Sequence, residues 1–346
     1  MTEEAANIPL QWVGPIKIIG PEVEGEIEVP LATYEMPLWP STNRGASICR
    51  KAGGIRTVLL DDRMTRSVLV EAKDVETAYN ASQKLHQRKE EIAAAIRETS
   101  GHVRFVDMHH QIVGNLLYIR LEMTTGDASG HNMVTKAADH VLSWICTKYP
   151  ELAYVSISGN YCTDKKVSAV NGILGRGKSV ISDILLPRTL VKKYLKTTPE
   201  QIVQLNIKKN LIGSIIAGGV RSANAHFANI LLGLYLATGQ DASNIIEGSQ
   251  GFVHTEVRGE DLYFSVSLPN IIVGTVGNGK QLDFVKKNLQ KMGCTDCESG
   301  ANARRLAIIT CATVLCGELS LLAAQTIPGE LMSAHLSIER PIGASQ

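Results

Sequence analysis

The apolar positions change period in a readable order between residues 66 and 158. Residues 67–72 alternate apolar and polar side chains, as a half-buried strand does. Residues 74–99 open on the capping aspartate Asp74 and continue with helical spacing among Ala, Gln, Lys, Glu and Arg, which predicts a helix. Two strands follow over 103–112 and 115–123 around a turn at Gly114, then a helix over 131–148 and a strand over 153–158. The order β-α-β-β-α-β is that of the ferredoxin-like split unit. The expected fold is therefore α+β, with a compact module (67–156) inserted into a larger helix-rich domain made of 1–66 and 157–346. In that larger part, 207–238 and 303–325 read as buried helices, with Gly239 as a left-handed cap of the first.

Composition narrows the class. A chain of 346 residues with 44% hydrophobic and 20% charged positions can bury a substantial core and reads as a soluble globular protein. Its formal charge of +1 supplies no basic surplus for nucleic acid or an anionic membrane. The amino terminus has no apolar signal region, so a cytoplasmic location is expected. The apolar stretch 306–327 is interrupted by Glu318, which favours a buried helix over a membrane span. Seven scattered cysteines suit reduced thiols, and Cys294-x-x-Cys297 lacks the second pair that a zinc site needs, so no metal is expected.

Three glycine-rich turns compete as phosphate sites. Residues 172–179 fit the P-loop spacing G-x-x-x-x-G-K-[ST], the signature of a nucleotide-hydrolysing kinase or ATPase. A P-loop joins a strand to a helix, however, and the residues after Lys178 are strand-like up to Pro187, so a plain turn is the preferred reading. Gly274, Gly277 and Gly279 could bring backbone close to a dinucleotide or simply form a turn. Residues 124–132 (TTGDASGHN) lead into a helix amino terminus, where free amides and the helix dipole favour a phosphate, although Asp and Ser are equally ordinary helix caps.

Several polar residues stand where the flanking pattern predicts burial: Glu35, the run 41–45, the run 158–166, Lys209 with Asn210, His226 and Asn229 on one helical face, Asp241 and His335. The stretches that carry them are VPLATYE with STNRG, DASGHNM, VSISGNYCTDKK with GRGKSV, KKNLIGS with NAHFANI and ATGQD, and EDLYFSVSLPNIIVGTVG. Together, over about residues 13–340, they resemble the class I 3-hydroxy-3-methylglutaryl-coenzyme A (HMG-CoA) reductases in their soluble, archaeal-like form.

The resemblance implies reduction of HMG-CoA by two NADPH to mevalonate and coenzyme A. It makes Lys165 the cation for the developing oxyanion, His335 the acid that protonates the coenzyme A thiolate, Glu35 the proton donor of the second reduction, and Asp241 the carboxylate between lysine and glutamate. It assigns Arg66, Ser158, Asp164, Lys166, Lys209 and Asn229 to the HMG moiety. Coenzyme A falls to Ser41, Asn43, Arg44, Lys196 and His226. The nicotinamide cofactor falls to Asp127, Ser129, Gly130, His131, Asn132, Val276 and Gly277, and its adenosine-phosphate end to Ser100 and Arg340. The inserted module becomes the NADP(H) domain, the large part the substrate and dimerisation domain, and the assembly a homodimer or dimer of dimers in which the Lys165 loop meets Glu35 and Asp241 across the subunit boundary. The chain departs from the family pattern at Met36-Pro37 after the glutamate, at Ala334 before the histidine, at Gly101-His102 after the cofactor serine and at Pro341, and by the resemblance it is expected to start close to the dimerisation segment, without the helical portion usual before it. A P-loop kinase and a catalytically dead binding module are the rival classes.

Overall fold

The computed structural model describes residues 6–339. The chain opens with β1 (Leu10–Ile19), β2 (Gly25–Ala32), α1 (Leu38–Lys51) and β3 (Ile55–Ala72). It continues through α2 (Val75–His86), α3 (Lys89–Thr99), β4 (Arg104–Val113), β5 (Leu116–Thr124), α4 (His131–Lys148) and β6 (Leu152–Ser156). After a loop come α5 (Ala169–Leu174), β7 (Gly177–Leu186), α6 (Pro199–Leu205), β8 (Ser222–Ala223), α7 (Phe227–Ala237), α8 (Ile245–Gly248), β9 (Gly251–Arg258) and β10 (Asp261–Ile271). Helices α9 (Asp283–Lys291), α10 (Ala301–Gln325) and α11 (Glu330–Glu339) close the chain.

The 18-residue strand β3 belongs to two sheets. Its first half, from Arg56 to Arg63, pairs with β7 inside the order β2-β1-β3-β7-β10-β9-β8. Its second half, from Met64 to Glu71, pairs with β5, and β6 joins its other edge, giving β4-β5-β3-β6. Two cores result. One packs α1, α7 and α10 on the longer sheet; the other packs α2, α3 and α4 on the shorter one through Val68, Val70, Ile119, Leu121, Ala137 and Val141. At the crossing of α1 and α10, a Cβ on Gly45 would stand 1.9 Å from the Cys316 carbonyl oxygen, so only glycine permits that approach. Where the sheets diverge, the buried Arg120 on β5 donates to the Gly175 carbonyl at 2.6 Å, tying the shorter sheet to the turn before β7.

Several expectations change. The helix expected over 74–99 breaks at Gln87 and Arg88 into α2 and α3, each burying its own apolar face through Ala81 and Leu85 or Ile92 and Ile96. The helix expected over 207–238 divides into a π-helical turn (Asn206–Gly213), a bend at Gly218 with φ +72° and α7; Gly239 at φ +64° does end α7 as expected. The larger part is also richer in strand than its sequence suggested. β10 itself alternates, with Leu262, Phe264, Val266 and Leu268 buried and Tyr263, Ser267 and Pro269 half-buried in the alternate positions, a period-2 strand signature outside the two helical stretches on which the helix-rich expectation rests. The P-loop reading fails because Gly177, Lys178 and Ser179 begin β7, and the buried Lys178 ammonium pairs with Asp62 at 3.2 Å. α10 is long and apolar enough to cross a membrane, yet here it runs through the larger core.

Candidate active site

The loop after β6 carries Lys165 into a cavity of about 490 Å³ between the two sheets. Lys165 adopts φ +56°, and Asn160 and Thr163 in the same loop are also left-handed, at +58° and +42°. Such backbones persist in non-glycine residues only when their surroundings over-determine them. The Lys165 ammonium lies 2.7 Å from Asp241 Oδ2. Asp241 in turn caps the short turn before α8, accepting from the Ser243 amide at 3.1 Å and its hydroxyl at 2.6 Å. Burial pushes the Asp241 carboxyl up, but the hydrogen bonds from Lys165 and Ser243 outweigh it and hold the group at about 2. The same bond to Asp241 raises Lys165 above its ordinary value, so both partners stay charged.

Arg66, Asp164, Lys280 and residues 128–135 share this cavity. Lys280 was not anticipated from sequence: its ammonium donates to the Gly239 carbonyl at 2.5 Å, and burial pulls it down to about 8. Arg176 and Glu247 were missed as well. Arg176 is 1% exposed and bridges Glu247 at 2.7 Å and Asp164 at 2.9 Å. The only available signal was that GRGKSV, once denied a nucleotide, still held an arginine without a partner. Ser158 and Lys166 do not line the cavity: the Ser158 amide donates to Ser156 Oγ at 3.0 Å, and the exposed Lys166 ammonium donates to the Asp164 carbonyl at 3.2 Å.

Glu35 lies elsewhere, in a second cavity of about 410 Å³ formed by the β2–α1 loop, α7, the end of α10 and α11. Asn229 Nδ2 donates to Glu35 Oε2 at 2.7 Å, and Ser41, Arg44, His226, Gln325 and Glu330 complete its polar lining. Arg44 already has partners, donating to Glu330 at 2.6 Å and to the Ser320 carbonyl at 2.6 Å. Glu318, the charge that interrupts α10, is wholly buried and receives the Ala225 and His226 amides at the start of α7. Lys209 donates to Asn210 at 3.2 Å, burial lowers its ammonium, and it lines neither cavity. Asn43 and the exposed Lys196 also stand outside both; the Asn43 side-chain carbonyl accepts the Gly14 amide at 2.7 Å. His335 falls on α11, but its side chain lies outside the described residues, as does Arg340.

The expectation that Lys165 reaches Asp241 only across a subunit boundary is corrected: that pair closes within one chain. Glu35, by contrast, lines a cavity that shares no residue with the Lys165 cavity.

The loop that leads into α4 runs along the Lys165 cavity. α4 begins at Gly130, φ +94°, with no side-chain cap, so the amides of its first turn are free for an anion. His131 Nε2 is buried without a hydrogen-bond partner, and burial followed by the Arg176 charge depresses its imidazole to about 4. Ser129, Asn132, Val276 and Gly277 line the same cavity, and the space a Cβ of Gly277 would occupy is empty. These features fit a phosphorylated dinucleotide. Asp127 is engaged differently, for it receives the Gly300 and Ala303 amides, both at 2.9 Å, and so caps α10 rather than α4. Beyond the loop, a cleft of about 330 Å³ is lined by Gly101, His102, Arg104, Gly126 and Arg304. Ser100 sits beside it at the end of α3, its hydroxyl accepting the His102 amide at 3.2 Å. Among the described residues no cluster of His, Cys, Asp and Glu could hold a metal ion.

The hydroxymethylglutaryl-coenzyme A reductase family model matches residues 4–340. The 3-hydroxy-3-methylglutaryl-coenzyme A reductase of Aeropyrum pernix is 42% identical over 96% of this chain and 79% of its own length. That of Pyrococcus abyssi is 44% identical over 92% and 79%. A class II reductase from Streptococcus pneumoniae, solved with NADPH, superposes with a TM-score of 0.73 at 17% identity, over 93% of this chain and 86% of that one, a likeness of fold. Fold and site thus define an oxidoreductase of mixed α/β architecture. The chain belongs to the hydroxymethylglutaryl-coenzyme A reductase family, whose reaction turns HMG-CoA into mevalonate on the route to isoprenoids.

Proposed function

We propose that this chain reduces (S)-HMG-CoA to (R)-mevalonate with two NADPH, with Lys165, Asp241, Glu35 and His335 dividing the chemistry. The observation that carries the reading is the Lys165–Asp241 pair, 2.7 Å apart, in the cavity onto which the uncapped start of α4 opens. Bound NADPH supplies a hydride to the thioester carbon and, in a second cycle, to the aldehyde carbon. Lys165 holds the oxygen that becomes negative in each step, and the ionised Asp241 keeps that lysine charged. Between the reductions the carbon–sulfur bond of mevaldyl-CoA breaks, and His335 gives the departing thiolate its proton. Glu35, oriented by the Asn229 amide, protonates the oxygen of mevaldehyde as it is reduced.

Residues 67–156 serve in this reading as a ferredoxin-like cofactor domain inserted into the substrate domain of 1–66 and 157–346. The strand order β4-β5-β3-β6 and the separate core support it. Arg66, Asp164 and Asn229 keep cavity positions consistent with HMG, as do Ser41, Arg44 and His226 with coenzyme A. The adenosine 2′-phosphate goes to the cleft of Arg104 and Arg304, whose guanidiniums replace the arginine missing at Gly101. Because Glu35 and Lys165 line separate cavities, the working site is completed when two chains associate. The exposed apolar side chains of Leu211, Ile212, Ile215 and Ile216 supply a surface for that contact.

Loss of absorbance at the NADPH band with HMG-CoA, run beside NADH, tests the whole reading. Two NADPH should be consumed per mevalonate formed, and an absence of HMG-CoA-dependent oxidation would sink it.

A further inference from the structure

Lys165 is gripped at two points by one short segment. Asp241 takes its ammonium at 2.7 Å, and Glu247, six residues on, takes its backbone amide through Oε1 at 3.1 Å. Glu247 is wholly buried and sits on α8, the helix whose preceding turn Asp241 caps. The same Oε1 receives Arg176 at 2.7 Å and Asn244 Nδ2 at 3.1 Å. Arg176 extends the grip to the residue before the lysine, reaching Asp164 at 2.9 Å, and its own amide is fixed by Asn270 Oδ1 at 2.8 Å.

A carboxylate buried this completely is costly unless paired, and the arginine that pairs it is itself out of water. Yet the pair bears on a loop whose lysine is left-handed, with two more left-handed residues at Asn160 and Thr163. A lysine amide in that conformation points where an ordinary backbone would not place it, and Glu247 is what it meets there.

We propose that the buried Arg176–Glu247 pair is the positioning element of the catalytic lysine. It fixes the left-handed Lys165 backbone and the adjacent Asp164, so that the ammonium arrives at Asp241 without having to be ordered during turnover. Glu247 does not line the Lys165 cavity; Arg176 does, but its terminal guanidinium nitrogens are engaged by Glu247 and Asp164. This rests on the reading of Lys165 as the oxyanion cation, and the test separates the two.

Full-length Glu247→Ala, Glu247→Gln and Lys165→Ala are compared with the unmodified enzyme for kcat and KM with HMG-CoA, alongside NADPH affinity from fluorescence titration. A displaced lysine should lower kcat of Glu247→Ala by about tenfold to a hundredfold, while NADPH affinity stays within about threefold. Glu247→Gln keeps an oxygen that can accept the Lys165 amide and should recover part of that loss, which a merely structural role would not produce. Folded Glu247→Ala with wild-type kcat, beside an inactive Lys165→Ala, would overturn the positioning role and leave the lysine reading standing. An active Lys165→Ala would overturn both. Should Glu247→Ala not fold, Arg176→Lys takes its place: it keeps the charge but offers one nitrogen where the guanidinium spans Glu247 and Asp164 with two, so a fall in kcat at unchanged NADPH affinity supports the proposal and an unchanged kcat overturns it.

Discussion

Replacing Lys165 by alanine isolates what the cation does. Both reductions place negative charge on one carbonyl oxygen, and removing a preorganised donor to such an oxygen costs about 3 kcal/mol, or roughly a hundredfold in kcat. The fold should hardly register the change. The Lys165 and Asp241 side chains are 40% and 46% exposed, so their pair is screened and contributes at most about 1 kcal/mol. Alanine at φ +56° carries the same left-handed penalty as lysine, so the backbone term cancels. Lys165→Ala should therefore melt within about 4 °C of the unmodified protein while losing about a hundredfold in kcat. The assay follows NADPH absorbance with HMG-CoA and, separately, with mevaldehyde. Losses of similar size are expected in both, since the oxygen and the cation are the same. Mevaldehyde reduction by the variant near the wild-type rate would refute the assignment of Lys165 as the oxyanion cation.

His335→Ala should separate the half-reactions, because only thiolate departure needs that proton; equal loss of HMG-CoA and mevaldehyde reduction would contradict the role. Co-expressing Glu35→Gln with Lys165→Ala should restore about a quarter of wild-type activity, since one of the two sites in each mixed dimer holds both native residues. Verified mixed dimers as inactive as their parents would show that each site is built from one chain. Arg304→Ala should narrow the kcat/KM preference for NADPH over NADH and weaken binding of adenosine 2′,5′-bisphosphate but not of AMP; an unchanged preference removes the 2′-phosphate from that cleft. Acid should weaken the fold early: His131 and His110, which burial holds at about 4 and about 3, are neutral when folded but gain a proton when unfolded below 6.5. Their stabilisation is thus complete above pH 6.5 and lost as pH falls toward 4, whereas that of Asp241, held at about 2, is lost only below its ordinary 3.8. His131→Gln should flatten the dependence of the denaturation midpoint on pH between 6.5 and 4, and an unaltered slope would count against it.

Local patterning determined much of this protein. Strand β3 beyond Arg66, the pair β4 and β5, and α4 all follow from apolar period and a turn at Gly114, because each element buries one face and records that in its own residues. The motif stretches likewise mark Lys165 and Asp241, which the fold brings to 2.7 Å. Tertiary structure decided what depends on partners distant in the chain. Asp127 looked equally fit to meet a phosphate or cap the helix just after it, and it caps α10, more than 170 residues away. The GRGKSV stretch fits a nucleotide loop by spacing, yet its arginine and lysine are consumed by Glu247, Asp164 and Asp62. The separation of Glu35 from Lys165 is implied only by the family resemblance, since nothing in the spacing of two polar residues says which cavity each will line. A buried charge must find a counter-charge once the core closes around it, and which one it meets depends on how sheets and helices pack rather than on neighbouring residues.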